Sequence, residues 1–504
     1  MTVRDAPPTA GALRLARHSF FNLAGQGGPF LAGLFAIPLL IRGLGTDRFG
    51  VLTLAWLVIG YFSLFDMGLS RALTQIVAEK LGERNPTQAL SVAWTALGIM
   101  FGLGLVGTAA MAVLSPWLVH SVLRIPSALQ SETLQAFVLL SAAIPVVLVT
   151  AGLVGILTAF HRFGTLNAIR APVGMYILIA PLAVLPFTRN LVAVTAVLVL
   201  GRILACGVYL LACRRLMPPL RTGLSQPFAA VTPLFRFGAW MTVTNVVSPL
   251  MVYLDRFIIG ATLSVAAVAY YSTPLEVITK ILIVPGALLG VLFPAFAASH
   301  RQDPERLVRL FGRGTAYVTL FLFPVLLLAG AFAHEGLRLW LGEEFAQHSA
   351  PVLQWLAVGV FINGIAQVFA TYIQGIGRPD LTATLHLIEL PIYLPSLWWA
   401  IHRFGIVGAA MAWTGRVAVD GALLFWLSGR LLGRHDPLMR RMGGGLLAAL
   451  GALAAPLLVG GVVPRALLVS MLLVAFAWLA WFAVLGPGER ASIAGWLGRP
   501  EREV

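Results

Sequence analysis

Ten ionisable side chains lie within long apolar stretches of this chain: Asp66, Asp255, Glu276, Glu389 and Asp420 against Arg71, Arg202, Arg256, Lys280 and Arg416. At the centre of a bilayer an ionised side chain costs from about 2.5 kcal/mol to far more, so each needs a partner or water. Five acids against five bases argues for internal pairing. Glu276 and Lys280 are four residues apart, in the order that favours a helical ion pair, and Arg416 and Asp420 repeat the spacing. Two readings stand for such pairs. Either they hold helices together, or the cation is released to an anionic ligand, for which a fixed Lys or Arg in a wet cavity is the natural acceptor. Asp66 and Arg71 are five apart and point roughly 140° away from one another on a helix, so they form no simple pair. Arg71 is near an inner end and reads as snorkelling or as a ligand for an anion. Asp66 is deeper, and reads as a locally bonded carboxylate or as a cation or proton site. Asp255 and Arg256 are near an outer end, where snorkelling to the interface is the simplest account.

The elements that must position these groups are membrane helices. Apolar residues make up 59% of 504 residues and charged ones only 11%, whereas a soluble domain carries about a quarter charged. Each bilayer-spanning helix takes ~20 predominantly apolar residues. Apolar segments recur at 19–43, 49–77, 89–119, 134–160, 168–188, 190–213, 233–261, 265–298, 308–333, 350–375, 381–401, 405–432, 442–463 and 465–486. The expected fold is an all-α polytopic membrane protein of about fourteen spans.

The net charge of +15 does not indicate a nucleic-acid partner, because the basic residues sit in short tethers between apolar runs. With the N-terminus placed inside, 23 of the 35 Lys and Arg fall in inner segments and 7 in outer ones. That asymmetry predicts cytoplasmic N- and C-termini, with anionic lipids as partners of residues such as Arg162, Arg214 and Arg215. Met1–His18 has no signal-peptide core or cleavage site, so the first apolar run is expected to remain as a helix. Cys206 and Cys213 are seven apart in one apolar segment and read as small packing residues.

The longest inner connection, 216–232, contains Pro218, Pro219, Gly223 and Pro227. Across it a weak internal repeat appears with a shift of 219 residues, which sets Arg17-His18-Ser19-Phe20-Phe21 on Arg236-Phe237-Gly238-Ala239-Trp240. Six spans precede the linker and six follow. An even number gives parallel halves about an axis along the membrane normal. The expected organisation is an N-lobe over 1–217, a cytoplasmic linker over 218–232, a C-lobe over 233–433, and two extra spans with a tail over 434–504.

Ile37-Pro38-Leu39-Leu40, Leu44-Gly45-Thr46-Asp47-Arg48-Phe49-Gly50 and Phe65-Asp66-Met67-Gly68-Leu69 resemble the opening of bacterial polysaccharide flippases. These are the O-antigen and exopolysaccharide translocases of the multidrug/oligosaccharidyl-lipid/polysaccharide exporter superfamily. Phe235-Arg236-Phe237-Gly238-Ala239-Trp240 with Asn245, Asp255-Arg256-Phe257-Ile258-Ile259-Gly260, and Gln374-Gly375-Ile376-Gly377-Arg378-Pro379 are similar to later parts of that family. The resemblance implies two six-helix lobes around a cavity of alternating access, lined by the first, second, seventh and eighth spans. It implies an undecaprenyl-diphosphate-linked oligosaccharide as cargo. On that basis Lys280, Arg256, Arg71 and Arg416 are the candidate substrate cations, with Lys280 foremost. Asp66, Glu276, Asp255 and Asp420 are the candidates for a coupling ion or proton. Arg202 and Glu389 fall on helices that the family places away from the cavity and are expected to be structural.

Gly25, Gly27, Gly28, Pro29, Gly33 and Pro38 interrupt the first span, and Pro274, Pro285 and Pro294 the eighth; they predict bends, static or gating. Trp94, Trp117, Trp340, Trp398 and Trp399 are expected to form interfacial belts. No nucleotide loop, metal cluster or His–carboxylate constellation is present in the sequence, so neither catalysis, cofactor nor metal is expected. The rival readings are a multidrug exporter of the same superfamily and, in another class, a membrane glycan polymerase or ligase. The longest outer loop on this reading runs near His334 to Ser349, and only its Glu335–His348 stretch could serve such an enzyme. A polysaccharide polymerase and glycosyltransferases are the further partners that a flippase would meet.

Overall fold

The computed structural model describes residues 28–29, 31–64, 69–83, 86–216, 251, 253–433, 437–484 and 490. Among them every regular element is helical. In chain order these are α1 (Leu31–Leu44), α2 (Thr46–Leu64), α3 (Leu69–Gly82), α4 (Pro86–Trp117), α5 (Ser127–Ser141), α6 (Ile144–Ala159), α7 (Phe163–Val184), α8 (Leu191–Leu216), α9 (253–262), α10 (Val265–Thr279), α11 (Ile283–Gln302), α12 (Pro304–Ala331), α13 (Ala333–Leu341), α14 (Glu343–Gly375), α15 (Pro379–Leu431), α16 (Pro437–Ala454) and α17 (Val462–Leu479). Among the described residues nine helical runs are long and apolar enough to cross a membrane. The protein is a multi-pass membrane protein. The expected linker, 218–232, lies outside the described residues, as do Asp66 and the side chain of Arg71.

The chain forms two compact units. The first comprises Met1–Thr273 with His386–Ala409, and the second Pro274–Leu385 with Ala410–Val504.

In the first unit, glycines let helices approach closely, as expected where association in lipid depends on packing rather than on burial from water. A Cβ at Gly155 of α6 would stand 2.7 Å from the Ser70 carbonyl oxygen of α3. The Thr74 hydroxyl bridges the same contact, donating to Ser70 O at 2.8 Å and standing 3.1 Å from Gly155 O. Gly50 of α2 lies against the Val265 carbonyl that opens α10. That contact explains why the flippase-like run ends in glycine. Gly201 of α8 faces the ring of Tyr176 in α7, whose hydroxyl donates to Val197 O at 2.9 Å. Both cysteines are free, and Cys213 is buried, as packing residues would be.

One polar staple joins three of these helices. Arg48 of α2 grips the Glu132 carboxylate of α5 with Nε at 3.1 Å and Nη2 at 3.0 Å, and the same carboxylate accepts from Leu191 N–H at the start of α8. A carboxylate suits that helix end, where backbone N–H groups lack intrahelical acceptors. Glu132→Gln retains the shape but removes the charge that holds both donors. Such charge-assisted bonds contribute about 1.5–3 kcal/mol each in favourable settings. The expected result is a melting temperature in detergent several degrees below wild type, with Arg48→Lys intermediate. Thermal scanning of the purified protein checks this, and an unchanged transition for Glu132→Gln would show that the staple contributes nothing.

In the second unit the core is aromatic. Phe311 of α12 stacks on Phe369 of α14 at 5.5 Å and meets Tyr372 edge-on at 5.1 Å, and Phe296 of α11 meets Tyr372 at 5.7 Å. The Glu335–His348 segment is helix rather than the expected loop, because Ala333 and Leu337 pack on Ala346 and Ala350 while polar side chains face outward. Trp340 packs partly against this cluster, which sets it apart from exposed Trp117, Trp398 and Trp399. Arg338 Nε meets Glu343 at 2.9 Å. Arg465, at the start of α17, donates from Nη1 to Glu335 Oε1 and to Ala331 O, each at 3.0 Å. Phe476 stacks on Phe323 of α12 at 4.4 Å. The Arg465 contacts and the Phe476 ring thus anchor the last long helix to the unit, while most of its apolar face stays exposed.

The two expected spans 381–401 and 405–432 both fall within α15 and are parted at Gly405, where φ is 61° and the backbone is not helical. That backbone region is costly for other residues. The Gln374–Pro379 motif is a turn: Gly377 N donates to Gln374 O, Arg378 N to Ile373 O, and Pro379 opens α15. Arg378 reaches the Asp380 carboxylate with Nε at 3.2 Å and Nη2 at 3.1 Å, and this hydrogen bond holds the Asp380 carboxyl below its usual range. The motif is thus accounted for by chain reversal.

Candidate functional site

The membrane-depth charges separate by exposure. In the second unit, Glu276 and Lys280 lie eleven and fifteen residues into the 36-residue helical run Val265–His300. Their side chains are 49% and 48% exposed, and Lys280 Nζ stands 3.7 Å from Glu276 Oε2. Pro285 shapes this place. A proline has no N–H and crowds the carbonyl four residues before it, here that of Ile281. The chain answers with a 3₁₀ turn over Lys280–Leu282 between α10 and α11. Pro274 and Pro294, by contrast, sit inside their helices. Two half-exposed ions at this depth are incompatible with hydrocarbon and require water around them. The pair is loose enough to open for a competing anion.

Arg416 and Asp420, also in the second unit, lie one turn apart on α15 and are partly buried, each with polar interactions of its own.

Asp255 and Arg256, in the first unit, do not snorkel. They are 1% and 4% exposed, buried inside the protein. The expectation erred because a polar pocket, not the interface, receives them. Asp255 Oδ2 accepts from the Tyr271 hydroxyl at 2.7 Å, and Oδ1 from Arg256 N–H at 2.7 Å. The Arg256 guanidinium lies 5.7 Å from the centre of the Tyr253 ring. Tyr393 of α15, in the same unit, is likewise buried, at 2% exposed. Buried this deeply, Arg256 reaches an anionic ligand only if its surroundings open.

Sequence reasoning missed Tyr271 and Tyr393. A signal for the first was present. Asp255 stands eight residues before Leu263 and Tyr271 seven after Ser264, where α9 turns into α10. Helices joined by a tight turn pair residues equidistant from it. No comparable local signal pointed to Tyr393, which arrives from a distant helix.

Arg202 and Glu389, expected to be structural, are partly buried and buried respectively. Arg202 shares its helix face with buried Leu198, Ala205 and Tyr209, pointing into the unit rather than toward lipid.

Comparison with known proteins gives these features a context. Residues 39–350 match the family described as polysaccharide biosynthesis protein. The chain belongs to that family. A putative O-antigen transporter of Shigella flexneri is 30% identical over 427 residues, covering 84% of this chain and all of the relative. The succinoglycan biosynthesis transport protein ExoT of Rhizobium meliloti is 26% identical over 441 residues, covering 83% of this chain and 78% of the relative. Among solved structures, the lipid II flippase MurJ in an inward closed conformation covers 93% of this family member and 99% of its own chain, with a TM-score of 0.69 at 13% identity. At that identity the likeness establishes a shared fold and nothing more.

Proposed function

We propose that this family member carries polyprenyl-diphosphate-linked oligosaccharide across the bacterial inner membrane, by alternating access, for assembly of cell-surface polysaccharide. The observation that carries the reading is the Glu276–Lys280 pair, half exposed at membrane depth. A wet cation at that depth suits a diphosphate head group, which must leave bulk water to cross. The names of the relatives, an O-antigen transporter and a succinoglycan transport protein, supply the glycan.

In this reading Lys280 takes the diphosphate when Glu276 releases it, with Arg71 and Arg416 as further cations and Asp66 and Asp420 as further carboxylates. The 1–217 and 233–433 lobes, joined by the 218–232 linker, rock about the cavity, and the 434–504 segment packs beside them. In this reading both termini face the cytoplasm, which the distribution of Lys and Arg supports. Glycosyltransferases supply the substrate and a polymerase consumes it.

The test is deletion of the gene and complementation by the wild type. Loss of surface polysaccharide, with lipid-linked oligosaccharide accumulating on the cytoplasmic leaflet, is expected. Normal surface polysaccharide combined with altered drug sensitivity would transfer the protein to the multidrug exporters. Lipid-linked repeat units that are translocated but not polymerised would indicate a polymerase.

A further inference from the structure

The junction of α15 and α16, in the second unit, carries more positive charge than the transport reading uses. We propose that Arg430 and Arg440 form a binding site for the phosphate of an anionic glycerophospholipid, whose chains lie along the lipid-facing flank of the two helices.

Charge at the junction is unbalanced. Residues 428–446 hold four arginines against one acid, Asp436, which lies outside the described residues. Even a paired Asp436 leaves an excess of three positive charges. Arg430, Arg440 and Arg441 are exposed, and none of them forms an ion pair among the described residues.

Packing decides which of the three act together. Glycines set α15 against α16: a Cβ at Gly429 would stand 3.2 Å from Met439 Cε, and one at Gly443 would stand 3.7 Å from the Phe425 ring. Helices that meet in this order run antiparallel. Each residue advances roughly 100° round its helix. Arg430 and Arg440 each follow a contact residue, and on antiparallel neighbours that step turns both to the same flank. With a rise of about 1.5 Å per residue, they differ in depth by about 3 Å. Arg441 is a further step round and faces away from α15.

Beyond the arginines the same flank is apolar and open. Val419, Leu423 and Trp426 of α15 and Leu447 of α16 fall on it by the same geometry, and all four are exposed. The Arg430 guanidinium stands 4.1 Å from the centre of the Trp426 ring. This cation–π contact holds the charge beside an aromatic side chain of the kind that marks a membrane interface. Guanidinium groups bind phosphate through paired N–H donors, and basic clusters between membrane helices bind anionic head groups. A zwitterionic lipid would bring an ammonium to a place already in excess of positive charge, whereas an anionic lipid neutralises it. The flank opens sideways onto the bilayer, where glycerophospholipids far outnumber any lipid-linked glycan, so the occupant is a resident phospholipid. The orientation proposed above puts it in the cytoplasmic leaflet.

The test does not use transport, so its failure is distinct from failure of the flippase reading. The full chain, purified in detergent, is titrated with phosphatidylglycerol or with phosphatidylethanolamine, and bound lipid is counted by native mass spectrometry. Expected is a saturable site for phosphatidylglycerol, weakened about fivefold by Arg430→Gln and by Arg440→Gln and changed less than about twofold by Arg441→Gln. Arg441→Gln removes the same charge from the same segment, so it separates a site from diffuse attraction. Equal losses in all three variants, unchanged binding in the Arg430→Gln, Arg440→Gln double variant, or phosphatidylethanolamine bound as tightly overturns the proposal. Undecaprenyl phosphate is added as a competitor: if it displaces phosphatidylglycerol at equal concentration, the site belongs to polyprenyl lipid and the assignment to a phospholipid is overturned. The substituted side chains are exposed, and if one of the two single variants does not fold, the other decides against Arg441→Gln.

Discussion

Lys280→Ala is expected to lower export of surface polysaccharide by about tenfold to a hundredfold while the protein stays in the membrane at wild-type abundance. Each tenfold corresponds to about 1.4 kcal/mol, which is within the range for losing one charge-assisted contact to an anionic head group. Little stability is at stake, because the Glu276–Lys280 pair is half exposed and its members stand 3.7 Å apart. Pairs of this kind contribute at most about 1 kcal/mol to folding. Charge exchange separates the two readings of the pair. In the double variant Glu276→Lys with Lys280→Glu an ion pair can still form, but the cation is displaced by one helical turn, roughly 6 Å along the axis. A structural pair would be rescued by the exchange, whereas a cation that meets the diphosphate would not. Restored export in the exchange variant would therefore remove Lys280 from the substrate path. Lys280→Arg is expected to retain most activity, since the guanidinium also binds phosphate.

The second large effect concerns stability. Gly50→Val is expected to prevent the first unit from packing, and Gly50→Ala to lower the melting temperature markedly. The Cβ added at Gly50 meets the Val265 carbonyl, a backbone atom that cannot rotate aside. Overpacking of a tight contact costs typically about 1–3 kcal/mol for small additions and more for branched ones. Because α10 begins at Val265, the strain enters the helix that carries Tyr271 and Glu276. Loss of export should thus accompany loss of stability in Gly50→Ala, in contrast to Lys280→Ala. Gly98, which has open space around it, is the control, and Gly98→Ala should leave both unchanged. Equal stability of the Gly50→Ala and Gly98→Ala proteins in a thermal scan would refute the argument.

Much of the architecture followed from composition and periodicity alone. Apolar segments of membrane length can do nothing else with their surface than enter lipid, and lipid permits only helices with their backbone groups paired internally. The helical, multi-pass character was therefore legible, and so was the Glu276–Lys280 pair, because a spacing of four on one helix places two side chains together whatever surrounds them. The flippase-like motifs were legible as well. Their physical meaning was not. Gly50 marks a helix contact and Gln374–Pro379 a chain reversal.

What depended on the neighbours was decided only in three dimensions. Near the end of a span, Asp255 and Arg256 read most simply as snorkelling to the interface, and they are buried instead because of what the neighbouring helix brings beside them. The Tyr271 hydroxyl, which donates to Asp255 from the far side of a turn, settles the matter. The same holds for Glu132, Leu191 and Arg48, and for Arg465, which joins the last long helix to Glu335. A sequence states which groups must be neutralised within a membrane. Which partner neutralises each one is a property of packing, because low dielectric makes the cost of an ion depend on atoms a few ångströms away, however far apart they are along the chain.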